Sequence, residues 1–163
     1  MGEVAQLLVD YQHYNQPAML LSGDADQNRR SLNSLFDCAY RLVNVRRGQH
    51  ADYRHLADAS DFGQTTRALM LVRGTRTHRP DLAVAFEHHQ LYPGPKLFPG
   101  RWTFPGVNPF WLPFDAVDWG GTPPTGDDRA AYERWLEGQI LGYAFDAAWL
   151  FLVEDPRLGP LPD

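Results

Sequence analysis

Residues 60–80 read SDFGQTTRALMLVRGTRTHRP, and this stretch carries signals for the start, the apolar side and the end of one helix. Ser60 is a preferred N-cap residue, and Asp61 places a carboxylate in the first turn, where it favours the helix dipole. Pro80 disfavours the helical conformation of the residue before it, so the helix is predicted to end near His78. One side of this helix carries Phe62, Thr66, Leu69, Arg73 and Thr77.

Helical spacing of apolar residues recurs on both sides of this stretch. An N-terminal helix is predicted to end or restart at Pro17, and the helix after it continues to about Gly48. A short helical turn is expected over residues 50–57. After residue 127 a last helical region runs to about residue 155, with a break at Gly138 or Gly142. The second helix has the most regular apolar stripe, formed by Leu32, Leu35, Phe36, Ala39, Leu42 and Val43.

Residues 82–126 have a different composition, with eight prolines interleaved with aromatic residues. Disordered segments are rich in proline but poor in aromatic residues, so this segment is predicted to lie against the helices as an irregular arm. Short strands are expected near Val84 and Phe86, and at residues 102–104.

The fold class is therefore predicted to be all-α. We expect one domain of 163 residues, with a helical hairpin or bundle over residues 1–80. A long irregular connection rich in proline and aromatic residues follows over 82–126, and a C-terminal helical pair over 127–155.

Composition restricts the function classes. The formal net charge is −5, with 14 arginines and one lysine, so any contact with nucleic acid has to be local. Cys38 is the single cysteine, which excludes an internal disulfide and a multi-cysteine zinc site and favours a reducing, cytoplasmic setting. The N-terminus lacks a basic signal region, and no run of about 18 apolar residues is present, so we expect no membrane partner.

Metal and thiol chemistry are not predicted. His88 and His89 follow Glu87, but adjacent side chains diverge on both helices and strands and rarely bind one ion together. Cys38 lies near the apolar stripe of the second helix, which is typical of a packed thiol. We therefore expect no metal and no cofactor.

Arg73 and His78, separated by four residues near the end of a helix, are the candidates for chemistry. Arginine binds a phosphate, and histidine moves a proton near neutral pH. About 1.5 such pairs are expected by chance in a chain of this composition. The alternative is that Arg73 packs at the edge of the apolar side while His78 interacts with the last carbonyls of the helix.

The Arg73–His78 pair on a helical hairpin resembles the HEPN superfamily of small all-α proteins, in which an arginine and a histidine lie near the end of a late helix. The resemblance covers residues 17–80 as architecture. The segment YERWLEGQIL at 132–141, followed by an apolar helix, is also similar to the C-terminal pattern of some bacterial relatives. The chain departs from the family pattern at Gly74, where active members often carry a polar residue.

The resemblance implies a metal-independent ribonuclease or an RNA-binding relative. His78 would remove the ribose 2′-hydroxyl proton, and Arg73 would stabilise the charge that grows on the phosphate, leaving a 2′,3′-cyclic phosphate. It also implies a homodimer that joins two copies of the motif in one groove. Arg76 and Arg79 are the residues expected to bind the flanking RNA backbone.

The aromatic arm supports a different function. Its tryptophans either fill the core or form a partner-binding surface, since tryptophan is enriched among interface hot spots. The second reading predicts a non-catalytic interaction module, such as an immunity-like or antitoxin-like binder or a component of a larger assembly. Its expected contact residues are Trp102, Trp111 and Trp119.

Overall fold

A computed structural model describes residues 2–16, 25–73, 83–85 and 109–162 of the chain. The described part is mostly helical, with six α-helices and one short pair of strands. The predicted all-α fold class is confirmed. In chain order the helices are α1 (Glu3–Tyr14), α2 (Ala25–Gln49), α3 (Tyr53–Asp58), α4 (Asp61–Arg73), α5 (Asp127–Trp135) and α6 (Leu141–Trp149).

The strands β1 (Val84–Ala85) and β2 (Phe110–Trp111) are antiparallel, with Val84 opposite Trp111. Phe110 also forms an antiparallel bridge with Ile140, which ties the strand pair to the connection between α5 and α6. The strand expected near Val84 is present, whereas β2 falls outside the segments with a predicted strand. The strands expected at Phe86 and at 102–104 lie outside the described residues.

The C-terminal helical pair, α5 and α6, is interrupted where the sequence predicts a break. Gly138 lies between the two helices with a φ of 69°, a left-handed conformation that costs glycine little. Beyond α6 the chain continues as one π-helical turn, Leu150–Glu154, and then a 3₁₀ turn, Pro156–Leu158. Asp155 caps that last turn by accepting a hydrogen bond from the Arg157 backbone N–H at 2.9 Å.

The core forms around the apolar stripe of α2. The six stripe residues predicted from the sequence are all buried, at no more than 1% exposure. Phe36 packs edge to face with Trp111 from β2 and with Phe145 from α6. Tyr11 of α1 donates a hydrogen bond from its hydroxyl to the Phe145 carbonyl oxygen at 2.7 Å. The stripe therefore gathers α1, β2 and α6 around one helix.

The start of α4 follows the sequence signals. The Gly63 backbone N–H donates to the Ser60 hydroxyl oxygen at 3.0 Å, so the predicted N-cap is confirmed. A Cβ atom on Gly63 would lie 2.3 Å from the Ala57 carbonyl oxygen and 2.6 Å from the Ala57 Cα atom. The corner between α3 and α4 is therefore so close that only glycine fits there.

The buried side of α4 differs in part from the predicted side. Phe62 is 41% exposed, although it was predicted on the apolar side. Other residues of α4 are buried in its place. Thr65 and Thr66 are buried because their hydroxyls donate to the carbonyl oxygens four residues earlier, each at 2.8 Å. The helix packs chiefly on α3, α5 and α6, while α2 packs chiefly along α1. The described part of α4 ends at Arg73, and residues 74–80 lie outside the described residues.

Residues 109–126 belong to the predicted arm and pack against the helices. Trp111, Phe114 and Val117 are buried, and the Tyr132 hydroxyl of α5 donates to the Leu112 carbonyl oxygen at 2.8 Å. Aromatic contacts therefore hold this irregular segment, as expected from its composition. The earlier part of the arm, 86–108, is outside the described residues.

Arg46, in the last turns of α2, is fully buried and joins the helix to the C-terminal segment. Its guanidinium donates to the carbonyl oxygens of Leu152 at 2.6 Å, Leu158 at 3.0 Å and Pro160 at 3.4 Å. Burial lowers the pKa of Arg46, while Tyr53 and Asp155 act in the opposite direction. These bonds close the end of the chain onto α2.

Replacement of Arg46 should destabilise the fold strongly. Arg46→Met keeps the buried stem but leaves the carbonyl oxygens of residues 152, 158 and 160 without this donor. We expect the free energy of unfolding to fall by about 3 kcal/mol, measured by urea denaturation. The matched control is Arg54→Met, because the Arg54 side chain is 84% exposed. This control should change stability by less than about 0.5 kcal/mol. Equal effects of the two variants would contradict the role of Arg46.

Candidate functional site

Arg73, the arginine of the predicted catalytic pair, lies at the end of α4 and reaches across to α2. Its guanidinium carbon is 3.5 Å from the centroid of the Tyr40 ring. One of its nitrogens, Nη2, is 3.5 Å from the Asp37 carboxylate, and the side chain is 22% exposed. The ring and the carboxylate, one turn apart on α2, hold the guanidinium in one orientation.

The bond to Asp37 is long and uses only one guanidinium nitrogen. Arginine has five N–H donors, so the remaining donors of Arg73 keep the capacity to bind an oxyanion that reaches them. Asp37 is itself 60% exposed and competes for the same charge. The arrangement therefore presents a partly exposed, oriented guanidinium with a weak internal competitor.

The other residues of the predicted RNA site, His78, Arg76 and Arg79, lie outside the described residues. Arg73 is thus the member of this set that the structure places. The proximity of Arg73 and His78 stays a prediction.

The predicted partner-binding tryptophans have different positions. Trp111 is fully buried against Phe36 and Phe145, so it offers no surface to a partner here. Its indole N–H is also buried and has no acceptor among the described residues. Trp119 is half-buried, and its indole N–H donates to the Phe114 carbonyl oxygen at 3.1 Å. Both side chains fit the core-filling reading of the arm, and Trp102 is outside the described residues.

An open groove that the sequence analysis missed lies where α2, α3, α4 and the start of α5 meet. Its volume is about 680 Å³, within the range of small-molecule sites. Arg47, His50 and Arg54 lie close together in sequence at the junction of α2 and α3, and this was the available sequence signal. The groove is lined by Val43, Arg47, His50, Ala51, Tyr53, Arg54, Arg67, Met70, Leu71 and Asp128.

The three arginines of the groove differ in how much of their charge is already used. Arg67 pairs closely with Asp58, and its Nη2 is 3.7 Å from the Asp128 carboxylate. Arg54 is exposed and only 4.0 Å from Asp58. Arg47 is exposed, and its guanidinium lies 5.8 Å from the centroid of the Tyr53 ring. Within the described ranges Arg47 has no carboxylate within salt-bridge distance, so its charge faces the groove uncompensated.

Tyr53 is 5% exposed and packs its ring against Phe151 at a centroid distance of 5.8 Å. Burial raises the pKa of the Tyr53 hydroxyl to about 12, and Arg47, Arg46 and Arg67 partly oppose this shift. The hydroxyl is therefore protonated at neutral pH. It has no hydrogen-bond partner among the described residues. It remains free to donate.

Other kinds of site find no support in the described part of the chain. No group of three histidine, cysteine or acidic side chains there is arranged to hold a metal ion. None of the described helices is both long and apolar enough to cross a membrane.

Comparison of the chain with protein-family models, with curated proteins and with solved structures gave no match.

Cys38 is buried on α2 and should be an unreactive thiol at neutral pH. Burial raises the pKa of Cys38 to about 11, and Asp10 and Asp37 add to the shift. A shift of about two units predicts alkylation by iodoacetamide roughly 100-fold slower in the folded protein than in urea at pH 8. The same rate in both states would contradict this environment.

The same shift predicts a loss of stability at alkaline pH. The folded pKa is raised, so the stabilisation is fully present below the pKa of the unfolded thiol, about 9, and is lost as pH rises through about 11. The free energy of unfolding should fall less steeply over this range in Cys38→Ala than in the wild type.

Proposed function

We propose that this chain is a HEPN-like helical protein that binds RNA at the end of α4, where Arg73 and His78 act together. RNA binding is the activity proposed first. If the protein is also catalytic, it cleaves the bound RNA without a metal ion. A cytoplasmic homodimer with two copies of this end of α4 facing one groove belongs to the same proposal.

The orientation of Arg73 carries the proposal. A guanidinium stacked 3.5 Å from the Tyr40 ring centroid loses little further freedom when it binds a phosphate. Because the chain has a net negative charge, RNA affinity has to come from such local contacts. His78, five residues further along the chain, would then serve as the general base for the 2′-hydroxyl.

Asp37 provides the sharpest test of this role. If Arg73 contacts an RNA phosphate, Asp37→Asn removes the competing carboxylate and should raise the affinity for a labelled single-stranded RNA about threefold. Arg73→Ala should lower it about tenfold. Affinities are measured by fluorescence anisotropy at one fixed salt concentration, and folding is checked by thermal unfolding.

The matched control is Arg41→Ala, which removes an equal charge from α2 where Arg41 pairs with Glu3 at 2.6 Å. It should leave RNA affinity nearly unchanged. If Asp37→Asn and Arg73→Ala behave like this control, Arg73 serves only to join α4 to α2.

Cleavage is tested with the same RNA in the presence of a chelator. Products with 2′,3′-cyclic phosphate ends that disappear in both His78→Ala and Arg73→Ala identify a ribonuclease. Binding that depends on Arg73 without cleavage identifies the non-catalytic relative.

A second candidate function is a non-catalytic protein-interaction module. It is favoured by three exposed apolar side chains at α6 and its two ends. Tyr143 on α6 is 49% exposed, Ile140 just before the helix is 45% exposed, and Leu150 just after it is 37% exposed. A group of exposed apolar side chains is typical of a contact surface.

Tyr143→Arg should abolish association through these exposed apolar side chains, because a charged side chain buried in an apolar contact lacks a partner. A second copy of the chain is the partner that can be tested directly, by analytical ultracentrifugation. The control is Val9→Arg on α1, since Val9 is 50% exposed and lies on another helix. A dimer that persists in Tyr143→Arg, or is lost equally in both variants, would rule out the surface around Tyr143 as its interface.

A further inference from the structure

We propose that the groove between α2, α3 and α4 binds a phosphoryl group, with the Arg47 guanidinium and the Tyr53 hydroxyl as its principal donors. This site is separate from Arg73 and does not depend on the RNA function proposed above. The phosphoryl group belongs either to a nucleic-acid backbone or to a small phosphorylated molecule.

The first argument is the unused hydrogen-bonding capacity of Tyr53. Its side chain lines the groove, is 5% exposed and has no hydrogen-bond partner for its hydroxyl among the described residues. The hydroxyl is not among the buried polar atoms that lack a partner in the described part of the chain, so it keeps contact with solvent and is available to donate. A ligand oxygen in the groove would be an acceptor for it.

The second argument is the charge around that hydroxyl. The Arg47 guanidinium lies 5.8 Å from the centroid of the Tyr53 ring, and Arg67 of α4 also lines the groove. Arg67 is engaged with Asp58 and Asp128, whereas Arg47 is not engaged with a carboxylate in the described ranges. The groove therefore carries three arginines against Asp128 and the nearby Asp58, which leaves an excess of one positive charge.

The third argument is that the donors come from different elements. Arg47 comes from α2 and Tyr53 from α3, while His50 donates from its Nε2 to the Leu158 carbonyl oxygen at 2.8 Å and lines the groove between them. The outer oxygens of a phosphoryl group point in different directions and can accept from donors on separate walls. A carboxylate has only two oxygens in one plane, so it fits this arrangement less well.

Part of the groove lining is apolar. Val43, Met70 and Leu71 line it beside the basic residues. At about 680 Å³ the groove has room for a group attached to the phosphate, such as a nucleoside. The apolar wall would contact the face of a base, while the donors hold the phosphate.

The proposal is tested by titrating the full chain with inorganic phosphate, with adenosine monophosphate and with a short single-stranded RNA. Binding is followed by the chemical shifts of the backbone amides of residues 43–54 and by calorimetry. Arg47→Ala should weaken binding about tenfold, and Tyr53→Phe about fivefold. Asp128→Asn should strengthen it, because it removes the one carboxylate among the described residues that line the groove.

Tyr53→Phe separates binding from folding. It keeps the ring packed on Phe151 and removes only a hydroxyl that has no hydrogen-bond partner among the described residues, so the melting temperature should stay the same or rise. Arg41→Ala serves as the charge control, because Arg41 is on α2 but does not line the groove.

Each outcome decides the proposal. Weaker binding in Arg47→Ala and Tyr53→Phe with Arg41→Ala unchanged supports it, and the ligand that binds most tightly identifies the source of the phosphoryl group. No binding of any of the three ligands, or equal binding by wild type and both groove variants, would overturn it. RNA binding lost in Arg73→Ala but kept in the groove variants would retain the RNA proposal and reject this one.

Discussion

The buried guanidinium of Arg46 is the interaction on which the rest of the structure depends. A charge without contact with water has to be met by several oxygens, and here three carbonyl oxygens of the C-terminal segment supply them. The next turn adds His50, which donates to the Leu158 carbonyl oxygen as well. The end of α2 therefore fixes residues 152–160, and Arg47 and His50 of the candidate groove lie on those same turns. The same end of α2 therefore stabilises the C-terminal segment and forms part of the groove.

The arginines of this acidic chain are used in different ways. Arg46 is a buried donor, Arg67 is engaged with two carboxylates, and Arg73 is divided between a ring and a long bond to Asp37. Arg47 has its charge directed at the groove without a carboxylate beside it in the described ranges. Total charge says little about such a protein, because what matters is which guanidinium still has donors to offer. The contrast among these four residues is what points to anion binding.

Much of the fold follows from local sequence signals. Apolar spacing on α2, the serine that caps α4 and the glycine between α5 and α6 all act through neighbouring residues, so they can be read directly. The strand β2 could not be predicted from local signals, since it depends on pairing with β1 from a distant part of the chain. The burial of Trp111 likewise depends on Phe36 and Phe145, which lie far away in sequence.

The candidate sites were less accessible to prediction. Sequence position singles out Arg73, but not the Tyr40 ring or the Asp37 carboxylate that hold it. The groove needs α2, α3, α4 and the start of α5 to meet, and the lack of a hydrogen-bond partner for the Tyr53 hydroxyl among the described residues is visible only once its surroundings are known. The burial of Arg46 was equally hard to predict, because arginine is rarely buried. No local sequence pattern marks the carbonyl oxygens that accept its hydrogen bonds.

The close contact at Gly63 has an evolutionary consequence. Every other residue carries a Cβ atom, and at this position that atom would overlap the backbone of Ala57. A substitution cannot be absorbed by a side-chain rotation, since the obstacle is main chain. Relatives that share the corner between α3 and α4 should therefore retain glycine there even where the surrounding residues have diverged. Together with a capping residue three positions earlier, that glycine would mark the equivalent helix in a distant sequence.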